Sequence, residues 1–192
     1  MTRYFRLVDD VAIPNRWHLG CATLQDGSEP RLRAGVRFDS TVVPVVPVTH
    51  AGRVLDFTLT SFAVPVVTAD LASAVRVVVG SDIQLVPVSI GSLEGMVALN
   101  VLRVLRCVDE TRSEFVKWTE HDHRSDLAGQ YRRITRLVLD GPTLPADAHA
   151  FRIENSLVEI IVSERVKEAM VSRGCLGRSE EHTSELQSPC NL

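Results

Sequence analysis

Lysine is almost missing from this chain of 192 residues: only Lys117 and Lys167 occur, and the other 19 of its 21 basic residues are arginine. We read that skew as a GC-rich coding bias rather than as binding chemistry. Net charge is also lacking, at −3, which argues against the electrostatic footprint of a nucleic-acid partner or an anionic membrane. No segment reaches the roughly 18 apolar residues that a spanning helix needs. The start, Met1-Thr-Arg-Tyr-Phe-Arg6, has no apolar run behind a basic region, so a soluble, cytoplasmic protein is expected. Cysteine is sparse and never occurs as Cys-x-x-Cys. Cys21, Cys107 and Cys175 stand far apart, so neither a zinc site nor a disulfide framework is indicated, and reduced, mostly buried thiols are expected. A Gly-x-Ser-x-Gly elbow and the glycine fingerprints for phosphate are absent as well.

What is present begins with an oddity at the end. Arg178-Ser-Glu-Glu-His-Thr-Ser-Glu-Leu-Gln-Ser188 resembles the in-frame translation of a sequencing-library adapter. Residues 1–177 are therefore read as one domain and residues 178–192 as a non-native, disordered tail. This removes His182 and Cys190 from the candidate site residues. Setting aside Arg178 and the glutamates Glu180, Glu181 and Glu185 leaves a net charge of −1.

Hydrophobic patterning then predicts strands. Leu55-Asp-Phe-Thr-Leu-Thr-Ser-Phe62 alternates with the period of a half-buried strand. Further apolar or alternating runs cover Ile83 to Ile90, Met96 to Val104, Glu114 to Trp118, Arg132 to Leu139 and Ala150 to Ile153. In Val42-Val-Pro-Val-Val-Pro-Val48, Pro44 and Pro47 cannot donate to a ladder, which places the segment at a sheet edge or at bulges. Gly91-Ser-Leu-Glu-Gly95 reads as a hairpin turn. Two short amphipathic helices interrupt the strands. One follows Val66-Val67 with Thr68 as N-cap and Gly80 as stop, and the other follows Ile161-Val162 with Ser163 as N-cap and Gly174 as stop. After Gly80 the first copy continues into the strand beginning at Ile83, whereas after Gly174 the second meets Arg178. The fold class expected is α+β, mostly β: a single domain of antiparallel-rich sheet with two short helices.

Several ordered blocks together resemble one family. They are Ile13-Pro-Asn-Arg-Trp-His-Leu-Gly20, Leu55 to Val67, Leu99 to Glu114, Trp118-Thr-Glu120, Gly129-Gln-Tyr-Arg132, His149-Ala-Phe-Arg-Ile153 and Val162-Ser-Glu164. The chain resembles the immunity proteins of bacterial polymorphic toxin systems, of the type numbered eleven. The resemblance implies a non-enzymatic binding protein that forms a stoichiometric complex with a cognate toxin domain and neutralises it. Family members are associated with nuclease-type toxins. The resemblance also implies a short final strand of the Val-Arg-Phe-x-Pro-Val kind after the second helix, which this sequence lacks. It calls for no cofactor and no metal.

The densest polar cluster is Trp118-Thr-Glu-His-Asp-His-Arg124. His121, Asp122 and His123 are usual ligand types for zinc and related ions, and on an extended strand the two histidines would point the same way. They motivate an alternative reading as a metal-dependent hydrolase, although no further ligand can be nominated. A solvated turn is the bland alternative. For partner binding, Trp118, Glu120 and Asp122 are the candidates, because exposed acids could mimic the charge of a nucleic-acid substrate. Trp17 and Trp118 could each be an interface anchor or a core residue. Arg103, Arg106, Arg132, Arg133 and Arg136 alternate with apolar residues and could form a basic stripe, or a solvated face cross-paired with Asp109 and Glu114. Cys21 and Cys107 are read as packing residues, since a nucleophilic thiol needs an electropositive, partly exposed setting.

Overall fold

The computed structural model describes residues 2–178, so the expected tail lies outside it apart from Arg178. The strands are β1 (Tyr4–Arg6), β2 (His18–Leu19), β3 (Val48–His50), β4 (Phe57–Leu59), β5 (Pro65–Thr68), β6 (Ile83–Pro87), β7 (Met96–Val101), β8 (Val104–Leu105), β9 (Glu114–Lys117), β10 (Tyr131–Arg136), β11 (Ala150–Ile153) and β12 (Ser156–Ser163). Helix α1 (Ala69–Val79) follows β5, and α2 (Glu164–Ser172) follows β12. The class is α+β and mostly β, but its strands form several sheets where one was expected. One sheet has the order β4-β5-β7-β6 and is antiparallel throughout. A second has the order β1-β12-β11-β8, with only β8 and β11 parallel. The β9–β10 hairpin and the β2–β3 pair complete the set.

The central strands are buried on both faces, which is why they read as continuous apolar runs rather than as alternation. Ile160 and Val162 join a core cluster with Val67, Leu71, Leu99, Val166 and Met170, between the two helices and both four-stranded sheets. Ile161, one residue out of phase, instead joins Phe151, Ile153, Ile134 and Leu139 beneath the β9–β10 hairpin. Val66 and Ala98 face a third cluster around Trp17, Leu19, Leu32 and Ile90. Trp17 is thus a core residue, 2% exposed, and its indole N–H donates to Thr58 Oγ1 at 2.8 Å. The proline-broken segment is not at an edge but is held on both sides by isolated bridges: Val45 exchanges N–H bonds with Thr23 at 2.8 and 2.9 Å, while Val46 N–H donates to the Ser89 carbonyl and Ser89 N–H to the Pro44 carbonyl, both at 2.9 Å.

Thr68 and Ser163 occupy the N-cap positions in extended conformation, but neither hydroxyl caps its helix. The first amide of α1, at Ala69, donates to the carbonyl of Gly95 at 2.8 Å, and that of α2, at Glu164, to the carbonyl of Arg3 at 2.9 Å. Because each helix leaves directly from a sheet strand, the chain entering the neighbouring strand supplies the acceptor, and the hydroxyl is not needed. Ser163 Oγ instead lies 3.0 Å from His149 Nδ1.

Gly95 immediately precedes β7, and Arg3 immediately precedes β1. The correspondence runs further. The β4–β5 hairpin leads into α1, with β7 on the free side of β5; the β11–β12 hairpin leads into α2, with β1 on the free side of β12. Gly80 and Gly174, at φ 68° and 62°, turn the chain after each helix. After Gly80, β6 runs antiparallel beside β7. After Gly174, Arg178 forms an antiparallel bridge with Asp9, just past β1. The two helices therefore sit in corresponding hairpin-helix-return arrangements.

Candidate interaction surface

The β9–β10 hairpin is closed by paired bonds between Trp118 and its opposite strand, with Trp118 N–H donating to the Gln130 carbonyl and Gly129 N–H to the Trp118 carbonyl, both at 2.9 Å. The intervening residues form a turn, not an extended strand, because Asp122 folds it back: its carboxylate accepts from the backbone N–H and the hydroxyl of Thr119, both at 2.8 Å. The Thr119 N–H, the Thr119 hydroxyl and then the charge of Arg132 hold the Asp122 carboxyl below the usual carboxylate range. His121 and His123 sit exposed on this turn, and His123 stacks edge-on against Trp118 at 5.3 Å. Among the described residues no group of three His, Cys, Asp or Glu side chains could hold a metal ion, so the hydrolase alternative has no ligand set to rest on. Glu120 is exposed at the tip of the turn.

Trp118 is half-buried and does not belong to the core clusters; the Arg132 guanidinium lies over its ring, 4.8 Å from the centroid. Both side chains wall a cleft of about 620 Å³ between the hairpin, the Glu29–Ala34 loop, Phe62 and the β11–β12 turn. Phe62 and Val158, at 47% and 48% exposed, supply apolar surface to it. Arg33 stacks on Phe62 at 4.6 Å and pairs with Glu29 at 3.0 Å. On the other side of Tyr131 a polar hollow of about 440 Å³ is lined by Arg106, Glu110, Lys117 and Glu154. There the Tyr131 hydroxyl donates to Glu110 at 2.6 Å and Lys117 pairs with the same carboxylate at 2.7 Å. Burial and that bond raise the Tyr131 hydroxyl pKa.

The five arginines do not form one stripe. Arg103 lies before β8 and binds Asp82 at 3.0 Å and, through two bonds of 3.1 Å, Asp147. Arg136 pairs across the hairpin with Glu114 at 3.3 Å, as a solvated face would, whereas Asp109 is taken by Arg112 at 2.6 Å. Arg106 and Arg133 are exposed. Of the three thiols among the described residues, Cys107 is buried while Cys21 and Cys175 are half-buried, and all three are free. Burial pushes the Cys107 and Cys175 thiols up to about 12, which leaves neither poised as a nucleophile.

One residue beside the cleft was missed altogether. Arg152 is fully buried, its guanidinium donating to the carbonyls of Leu157 and, at 3.0 Å, of Ala63. No carboxylate among the described residues pairs with it. Strand alternation in Ala150-Phe-Arg-Ile153 gives Arg152 the look of an outward-facing residue; the β4–β5 turn of the other sheet closes over it.

A family model described as Immunity protein family (Imm11) matches residues 97–182. The matched segment runs from β7 through α2 and contains the hairpin, Arg152 and much of the cleft wall. No curated protein matches the chain.

Proposed function

We propose that this chain is a cytoplasmic immunity protein that binds a cognate bacterial polymorphic-toxin domain, for example a nuclease, and neutralises it by stoichiometric complex formation. The family match over residues 97–182 carries this reading. Neutralisation by binding asks for no chemistry of the chain's own, only a surface large enough to exclude substrate, about 800 Å² per partner for a standard complex. The cleft wall at Trp118 and Arg132 suits such a surface, since half-exposed tryptophan and arginine are the residue types that dominate binding energy at interfaces. Glu120 and Asp122 extend it along the turn, although Asp122 is already engaged with Thr119 and Arg132.

The test is co-expression with the toxin gene that neighbours this one in its native host. Rescue of growth together with a one-to-one complex in gel filtration is expected. A neighbour that is no toxin, or a toxin that kills equally with and without this chain, would overturn the reading.

A further inference from the structure

We propose that the cleft between the Glu29–Ala34 loop and the β9–β10 hairpin receives an acidic segment of the toxin domain, its carboxylates seated against Arg31 and Arg33 and an apolar neighbour against Phe62 and Trp118. This rests on the proposed function in taking the partner to be a protein. The cleft is lined by Arg31, Arg33, Arg124 and Arg132 against one carboxylate, Glu29. Arg33, Arg124 and Arg132 each have a carboxylate beside them, at Glu29, Asp126 and Asp122. Arg31 is exposed and has no ion-pair partner among the described residues.

Behind the wall stands Arg152, its guanidinium bonded among the described residues only to the carbonyls of Ala63 and Leu157, with Nε unbonded. Burial first and the charge of Arg33 second push its pKa down to about 10. A charge held in a dry interior is weakly screened, so Arg152 adds to the positive potential of the cleft without touching its occupant. Backbone strain gathers at the same place. Of the four non-glycine residues with positive φ among the described residues, Arg31 at 55° and Asn155 at 64° line the cleft, and Ala63 at 55° adjoins Phe62. Such conformations persist where the surroundings impose them, and they cluster at binding sites.

The geometry favours a protein over a nucleic acid. Glu29, Asp122 and Asp126 beside the lining arginines repel a continuous line of phosphates. One or two carboxylates flanked by apolar atoms match arginines set among Phe62, Trp118 and Val158.

The experiment has two arms. In the first, the full chain is titrated at low salt with a hexapeptide of alternating glutamate and leucine, and separately with hexathymidylate. The readout is tryptophan emission, which a cleft ligand changes at Trp118 and not at the buried Trp17. The peptide should change the emission, and Arg31→Glu with Arg33→Glu should weaken its binding by roughly tenfold or more, as loss of close charge pairs does. No response to the peptide, equal binding by the variant, or tighter binding of hexathymidylate overturns the proposal. Arg31→Gln serves if the double reversal lowers the melting temperature. In the second arm the charge-reversed chain and Arg76→Glu, on the exposed side of α1, are compared in the toxin rescue. Loss of protection only with the cleft variant supports the proposal; equal protection by both overturns it while leaving the function intact. A wild-type chain that fails to protect overturns the function itself, whatever the peptide does.

Discussion

Replacing Gly177 by alanine tests how the two large sheets are joined. Residues 176–178 run between them: Leu176 N–H donates to Asp56 Oδ2 at 3.0 Å, Phe57 N–H to the Leu176 carbonyl at 3.1 Å, and Asp10 N–H to the Gly177 carbonyl at 2.7 Å. Gly177 has φ 110°, where an L side chain is strained, and a methyl there would overlap the carbonyl oxygen of Phe57. That oxygen cannot retreat freely, because Phe57 is paired with Val67 inside the first sheet. The backbone term alone costs about 1–2 kcal/mol. Gly27 isolates that term, since it has φ 82° and open space around it. Relieving the overlap at Gly177 should in addition break the three bonds above, at about 1 kcal/mol each. Gly177→Ala should thus be less stable than Gly27→Ala by about 3 kcal/mol. For a chain of this size the difference amounts to about 6–12 °C in melting temperature. Both variants would be melted by circular dichroism against the parent. Equal melting temperatures would mean that the segment after α2 is not held between the sheets.

Other outcomes follow from the same contacts. Thr58→Val leaves the Trp17 indole N–H unpaired in the core and should cost about 1–3 kcal/mol, less when combined with Trp17→Phe. A urea double-mutant cycle with strictly additive losses would contradict the bond. Thr68→Ala should cost well under the ~1 kcal/mol of a true N-cap, because its hydroxyl makes no capping bond. A full cap loss would show that the Gly95 carbonyl does not serve α1. A thiol raised from 9 to about 12 has its thiolate fraction cut roughly 1000-fold near neutral pH, so Cys107 and Cys175 should resist iodoacetamide until denaturant is added. Mass spectrometry finding native labelling of Cys107 as fast as after unfolding would refute this. We also propose that the residues beyond Gly177 stand in place of a native strand; exchanging them for a Val-Arg-Phe-x-Pro-Val ending should raise the melting temperature, and an unchanged value would reject the idea.

Much of the fold was legible because local periodicity and burial coincide. The β4, β6, β7, β9 and β11 segments fell inside the runs assigned from alternation or apolar content, β10 began one residue before its run, and glycine marked the end of both helices. The helix starts were placed at the right residues for the wrong reason. Thr68 and Ser163 have the composition of caps, but the acceptors came from Gly95 and Arg3, far away in sequence, and a local capping rule has no access to them. The candidate site was legible only in part. Of Trp118, Glu120 and Asp122, singled out by their density of polar neighbours, Trp118 lines the cleft, Asp122 meets it only through its pair with Arg132, and Glu120 is not among the lining residues. Its opposite wall, from Glu29 to Ala34 and Phe62, could not be read, because those residues are some 60 to 100 positions away in the chain and carry no motif.

The sequence by itself determined the class of structure, the near-neutral charge, the absence of cysteine pairing motifs, and the family resemblance. Each depends on composition or on spacing within a few residues. Only the tertiary structure decided that Trp17 is core and Trp118 is not, that His121 and His123 ride a turn closed by Asp122, and that Arg152 is buried under a turn from the other sheet. These outcomes depend on which distant strand supplies a carbonyl or covers a face. Pairing between strands is set by the assembled sheets, and the chain records it only as apolar residues that could face either way.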